Sequence, residues 1–330
     1  MKRQIELNIE LEDETGAGQC VHMAVSVFLP APALLPAQPL LIFGLPGGGY
    51  ARAYYAMEFA GHADYSQAAY HTAHGAVFIA IDHLGTGQSS VPDLAALTIA
   101  QMAQANHRVV EKVTAMFAAG SIDAGFPALS GCLRIGIGQS MGGCIGVVMQ
   151  GRHRSFDAYA ALGYSVLHTA LPQRPGVAAL KAPSFARDSD LSAISIQAES
   201  AAVGDFSYGF HWHDEPAELV AADFDGGFPI RRQVPPFGSA TTPYCALQML
   251  MPDCVAGEAA LVDVPVFLAF GELDIAREPR REPQAYPNSP DIALLIVPRM
   301  AHMHNFAGTR HYLWRRLQHW AEGLAFRPLG

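Results

Sequence analysis

Charge is scarce in this sequence. Only 15% of the 330 residues are Asp, Glu, Lys or Arg, while 50% are hydrophobic. That balance excludes a disordered chain and supplies enough apolar side chains for a large core. Basic residues are the scarcer charge, 21 against 30 acidic ones, for a net charge of -9. No broad basic footprint for a nucleic acid is expected. No run of about 18 apolar residues occurs, so no membrane span is expected. The start, Met1-Lys2-Arg3-Gln4-Ile5-Glu6-Leu7, lacks the continuous apolar core of a secretory signal. The five cysteines, Cys20, Cys132, Cys144, Cys245 and Cys254, are odd in number and form no C-x-x-C pair. Reduced, mostly buried thiols in a cytoplasmic protein are expected. Internal repeats and low-complexity tracts are absent, and the patterns leave both a monomer and a homodimer open.

Hydrophobic periodicity gives an alternating rhythm. Residues 4–12 and 21–29 read as strands joined by the turn Asp13-Glu14-Thr15-Gly16. Residues 39–45, 76–81, 133–137 and 157–163 read as buried strands, and 64–74 and 94–119 as helices between them. This order predicts an α/β protein with a mostly parallel sheet covered on both faces. From about 166 to 262 the rhythm breaks into Pro-, Gly-, Ser- and Asp-rich sequence with helical pieces such as 193–202. It resumes with strands at 264–270 and 292–297 and an amphipathic helix over 306–324. The expected organisation is a core of 1–165 and 263–330 carrying a cap insertion at 166–262, with no independent second domain.

One motif stands out within that rhythm. Gly138-Gln139-Ser140-Met141-Gly142 reads G-x-S-x-G, between the β-prone run Leu133–Ile137 and the small apolar run Gly143–Met149. A strand feeding a sharp turn feeding a helix is the setting of a nucleophile elbow, which lifts the serine hydroxyl above the sheet edge. A serine hydroxyl is a poor nucleophile at neutral pH and needs a base, and the base needs a carboxylate to orient it. In such folds these partners follow in the order acid, then histidine. Asp274, just past the run Val266–Phe270, is the candidate acid, with Glu272 as its rival. Gly163-Tyr164-Ser165, at the end of the preceding strand, offers no carboxylate. His302, after the last strand, is the candidate base, with His304 as its rival.

The reaction also needs N–H donors for a developing oxyanion. The backbone N–H of Met141 is one candidate. The loop Pro46-Gly47-Gly48-Gly49 supplies the other, with Gly48 favoured and Gly49 or Leu45 as alternatives. Gly49 and Tyr50 are candidate substrate-binding residues. Tyr50, Tyr54, Tyr55 and Phe59 read equally as a pocket wall or as core. The turn Asp82-His83-Leu84-Gly85-Thr86-Gly87 is expected to shape the neighbouring loop and to take no part in the chemistry. His211-Trp212-His213-Asp214 reads as a polar loop, because two histidines without further ligands do not make a metal centre.

Together the glycine-rich loop, the Asp82–Gly87 turn, the Gly138–Gly142 elbow and the Asp274 and His302 loops make the chain resemble the α/β-hydrolase superfamily. The resemblance covers most of the chain outside 166–262. It implies an eight-stranded, mostly parallel sheet, a cap, a Ser-Asp-His triad and no cofactor. One departure is Pro46, which stands where many relatives carry the histidine of a His-Gly pair before the oxyanion residue. The triple glycine is similar to the wide oxyanion loops of some esterases. The leading expectation is a serine esterase acting on a small or medium, largely apolar carboxylic ester. The same triad acting on a thioester, lactone, amide or carbon–carbon bond, or in acyl transfer, is the second reading. A non-catalytic ligand-binding protein is the third. A dehalogenase would carry an aspartate where Ser140 stands, and a dinucleotide oxidoreductase would need a G-x-G-x-x-G after an early strand.

Overall fold

The computed structural model describes residues 3–12, 20–177, 185–195 and 206–325. The turn expected at 13–16 and most of the helical piece expected at 193–202 lie outside them.

Eight strands form one sheet in the order β1-β2-β4-β3-β5-β6-β7-β8. They are β1 (Arg3–Leu11), β2 (Val21–Leu29), β3 (Leu40–Leu45), β4 (Val77–Ile81), β5 (Leu133–Gln139), β6 (Ala158–Leu162), β7 (Val266–Gly271) and β8 (Ile292–Val297). Strand β2 runs antiparallel to both β1 and β4, and all other neighbours are parallel. The eight-stranded, mostly parallel sheet is therefore as expected.

Strand alternation sorts the core into two layers. Leu41, Phe43, Leu45, Val77, Ile79 and Ile81 pack on one face with helices α2 (Ile99–Ala118) and α3 (Met141–His153). Leu40, Ile42, Phe78 and Ala80 pack on the other, with α1 (Gln67–Ala73) and the last helix, Arg310–Leu324. Both faces are dry, which explains why these strands read as unbroken apolar runs. Each buried aliphatic or aromatic side chain contributes about 1.5–3 kcal/mol.

Caps set the helix limits more tightly than periodicity does. Helix α1 starts at Gln67 because the Ser66 hydroxyl accepts the Ala69 N–H at 3.0 Å. Helix α2 starts at Ile99 because Thr98 and Gln101 form a capping box. The last helix starts at Arg310, four residues later than its apolar pattern suggests, since Phe306 and Ala307 close turns onto Met303 and His304.

Between Leu162 and Val266 none of the described residues joins the sheet. The segment holds the short helices α4 (Phe206–Phe210), α5 (Ala217–Phe224) and α6 (Ala256–Ala259), with the last helix becoming α7. No described helix is long and apolar enough to cross a membrane.

The chain leaves β3 toward β4 and then passes back to lay β5 on the other side of β3. A crevice opens at the carboxyl ends of the strands where the winding reverses in this way. The glycine-rich loop follows β3, and Ser140 follows β5, so both stand at that crevice.

Candidate active site

Ser140 sits between β5 and α3 with φ 54° and ψ −116°, a left-handed conformation that is strained for a residue with a Cβ. Packing enforces it. The Ser140 N–H donates to Leu162 O at 2.9 Å, and α3 starts at the next residue. The elbow also lies against the β3 end, where a Cβ on Gly142 would stand 2.0 Å from Leu45 O. Only glycine allows that approach.

The serine hydroxyl lies 2.9 Å from His302 Nε2, and His302 Nδ1 lies 2.7 Å from Asp274 Oδ1. Asp274 accepts only, so the proton of His302 resides on Nδ1 and the Nε2 lone pair faces the hydroxyl. Asp274 carries a second imidazole as well, with His304 Nε2 at 2.8 Å from Oδ2. The N–H groups of Gly271 and Ile275 donate to the same carboxylate at 2.8 and 2.7 Å. Burial pushes the Asp274 carboxyl up, but the charge and hydrogen bond of His302 and the hydrogen bond of His304 outweigh it. They hold Asp274 far below the usual carboxylate range.

The structure thus brings Ser140, Asp274 and His302 together. The rivals have other places. His304 reaches Asp274 but not Ser140, and its buried Nδ1 has no partner among the described residues. Glu272 accepts the Arg299 N–H at 2.9 Å. The His302 loop is held from behind: its N–H donates to Gly209 O at 3.1 Å, and the Phe210 and His302 rings lie 4.7 Å apart.

Gly48 and Met141 flank Ser140 in a cavity of about 110 Å³. Phe206, Phe210, Phe228, Leu247, Met249 and Ile275 also line it, and no charged side chain does so among the described residues. Neither the Gly48 N–H nor the Met141 N–H has an acceptor among the described residues. The Met141 N–H also opens α3, where the helix dipole favours negative charge.

The aromatics after the glycine loop take the core alternative. Tyr50 is buried with its hydroxyl 2.6 Å from Asp223 Oδ2, and Tyr55 donates to Leu45 O at 2.8 Å. Neither Tyr50 nor Gly49 is among the described residues lining the cavity, although Gly49 lies against the Phe228 ring that does line it.

Three further residues support the site, of which sequence reasoning covered only His83, as part of the loop-shaping turn. Gln139, an unspecified position of the motif, donates its Nε2–H to His302 O at 3.0 Å. His83 faces Pro46 O through Nε2 at 2.9 Å and the Asn106 side-chain amide through Nδ1 at 2.7 Å. Burial pushes the His83 imidazole down, so the neutral ring donates to Pro46 and accepts from Asn106. The Asp82 turn thereby shapes the glycine loop. Gly163 is the third: its φ is +57°, and a Cβ there would stand 3.1 Å from His302 Nδ1 and 3.3 Å from Asp274 Oδ2. No local signal marks Gly163, because its constraint comes from side chains more than a hundred residues away.

Both ring nitrogens of His211 are engaged by carboxylates among the described residues. Its Nδ1 lies 2.6 Å from Glu215 Oε2 and its Nε2 2.9 Å from Asp223 Oδ2. Two carboxylates facing both ring nitrogens require both to carry protons, so the ring is an imidazolium. Burial pushes it down, but the hydrogen bonds and charges of Asp223 and Glu215 raise it to about 9. Arg231 and Tyr50 complete its surroundings through Asp223. A raised value contributes stability that is full below the unfolded value of 6.5 and is lost as pH rises through about 9. The contribution is about 3 kcal/mol. Thermal melts are expected to fall between pH 7 and pH 10, and His211→Gln is expected to flatten that slope; an unchanged slope would show that another group controls it.

No protein-family model and no curated protein matches the sequence. Solved structures match it over nearly the whole chain. A thermophilic esterase from Thermogutta terrifontis is similar with a TM-score of 0.61 at 12% identity, covering 96% of this chain and 98% of its own. A proline iminopeptidase from Mycobacterium smegmatis has a TM-score of 0.59 at 16% identity, covering 98% and 100%. A haloalkane dehalogenase variant from Bradyrhizobium elkanii has a TM-score of 0.56 at 14% identity, covering 98% of each chain. An esterase, a peptidase and a dehalogenase share the architecture but not the reaction, so the likeness carries the fold alone. With the sheet order, the elbow after β5 and these neighbours, the chain has the α/β-hydrolase fold.

Proposed function

We propose that this chain is a serine hydrolase that cleaves a small-to-medium, largely apolar carboxylic ester through an acyl-enzyme. The observation that carries the reading is the hydrogen-bonded series Ser140–His302–Asp274 opening on a small apolar cavity. Ser140 Oγ attacks the ester carbonyl carbon while His302 Nε2 takes its proton. Asp274 stabilises the imidazolium. The oxyanion is held by the N–H groups of Gly48 and Met141. As the tetrahedral intermediate collapses, the C–O bond to the alcohol breaks and His302 returns the proton to that oxygen. Water, deprotonated by His302, attacks the acyl carbon, and the acid leaves as Ser140 regains its proton. No cofactor enters these steps. The described residues of 166–262 act as a cap that encloses the acyl chain, since Phe206, Phe210 and Phe228 come from them. The five unpaired thiols fit a reducing compartment, the cytoplasm.

A screen of p-nitrophenyl esters by chain length, on the wild type and Ser140→Ala, tests the reading. Turnover confined to the wild type and to short or medium acyl chains supports it. Equal turnover by both proteins overturns the role of Ser140, and wild-type activity on amides or thioesters alone overturns the ester bond.

Gly163→Ala is a sharper probe of the geometry. Its Cβ would press on His302 and Asp274. Ester turnover is expected to fall about 100-fold, because small misplacements of reacting groups carry that cost. Unfolding stability should fall by about 1–2 kcal/mol. Wild-type kcat/KM in a Gly163→Ala protein would mean that the triad does not need this close approach.

A further inference from the structure

Behind the glycine loop lies a second set of ionised side chains that the proposed reaction does not use. Asp223, on α5, is at its centre and is fully buried. Its Oδ2 accepts the Tyr50 hydroxyl at 2.6 Å and His211 Nε2 at 2.9 Å, and its Oδ1 accepts Arg231 Nη2 at 2.6 Å. Arg231 Nη1 donates to the Asp223 carbonyl, and Glu215 holds the other side of His211 at 2.6 Å. Two cations and two anions balance. Arg231 reaches beyond the set: its Nε donates to Gly49 O at 3.1 Å. Its guanidinium also lies 5.1 Å from the Tyr50 ring and 5.2 Å from that of Phe228, a wall of the cavity.

Burying four ionised groups is costly, and well-packed apolar residues often hold a fold as well or better. What apolar residues lack is direction. Gly49 O is fixed by two donors, Arg231 Nε and the Ser239 N–H at 3.0 Å. Gly47 O is fixed by the Tyr50 N–H at 3.2 Å. The Gly48 N–H shares a planar peptide with Gly47 O, and the Tyr50 N–H that holds Gly47 O shares one with Gly49 O, so fixing Gly49 O fixes the direction of the Gly48 N–H through Tyr50.

We infer that Arg231 and Asp223, paired directly and joined to the loop by Tyr50, are positioning residues that fix the glycine loop so that the Gly48 N–H meets the oxyanion. This rests on the hydrolase reading above. A pre-set donor matters most where charge develops, so the set acts on the transition state and leaves ground-state binding nearly alone.

The test compares Tyr50→Phe, which removes one oxygen atom, with Arg231→Lys and Arg231→Met. Steady-state kinetics on a p-nitrophenyl ester are expected to show kcat down about 10- to 100-fold, with KM changed less than about 3-fold. Arg231→Lys, which retains charge but loses the fork, should fall between the wild type and Arg231→Met. Affinity for an alkyl boronic acid, which forms a charged tetrahedral adduct on Ser140, should weaken in parallel with kcat/KM. A merely structural role would lower the melting temperature without that parallel. Wild-type kcat and boronate affinity in Tyr50→Phe and Arg231→Lys would overturn the inference, as would a raised KM at unchanged kcat. Labelling of Ser140 by a fluorophosphonate separates the two readings, because it needs the same N–H donors but no ester substrate. If the wild type is labelled yet cleaves no ester, and the variants are labelled more slowly, the ester reading fails and the positioning inference stands. If the wild type cleaves esters and all proteins are labelled equally fast, the inference alone fails.

Discussion

Ester turnover by Ser140→Ala is expected to fall about 10⁵- to 10⁶-fold, to the level that the N–H donors and the cavity sustain without a nucleophile. The fold should persist. Alanine keeps the Cβ, and so keeps the strain of φ 54°. Ser140→Gly should be as inactive, yet more stable by about 1–3 kcal/mol, because glycine adopts positive φ at no steric cost. Urea unfolding of the three proteins, alongside kcat/KM, checks both halves. A stability order with glycine lowest would mean that the elbow stores no strain. Residual ester turnover near the wild-type rate in either variant would remove Ser140 from the reaction.

The two histidines of the last loop should separate just as sharply. His302→Ala removes the one imidazole within hydrogen-bond reach of Ser140, and a loss of about 10⁵-fold in kcat is expected. His304→Ala removes a donor from Asp274 Oδ2 while the Gly271 N–H remains on that oxygen. Only the orientation of Asp274 loosens, so a loss of about 10- to 100-fold is expected. Single-turnover acylation with a p-nitrophenyl ester reads the chemical step for each. Similar losses in the two variants would mean that the imidazoles exchange places during turnover, and the one-base scheme would be wrong.

Much of this site is legible in the sequence because strand ends are. The run Val266–Phe270 is buried on both faces, and near the end of the apolar segment before Ser140 stands Gly138, whose missing side chain admits the Gly142 backbone. Residues just past such ends stand at one edge of a parallel sheet, so Ser140, Asp274, His302 and Gly48 can be placed without coordinates. His302 and His304 are two residues apart on one loop, and pattern alone cannot separate them. The choice is made by the anchoring of the loop on α4, through His302 N–H to Gly209 O and Met303 N–H to Phe210 O. Tyr50 is similar: an aromatic after the glycine loop fits a pocket or a core equally, until Asp223 claims its hydroxyl.

The sequence by itself determined the strand rhythm, the elbow and the order in which Ser140, Asp274 and His302 follow one another. These depend on local backbone limits and on hydrophobic burial, both written residue by residue. Tertiary structure alone decided which histidine faces the serine, why Gly163 must lack a side chain and how Arg231 grips the glycine loop. Each of those depends on groups distant in the chain, whose directions are set only when the sheet and the residues between β6 and β7 close on one another.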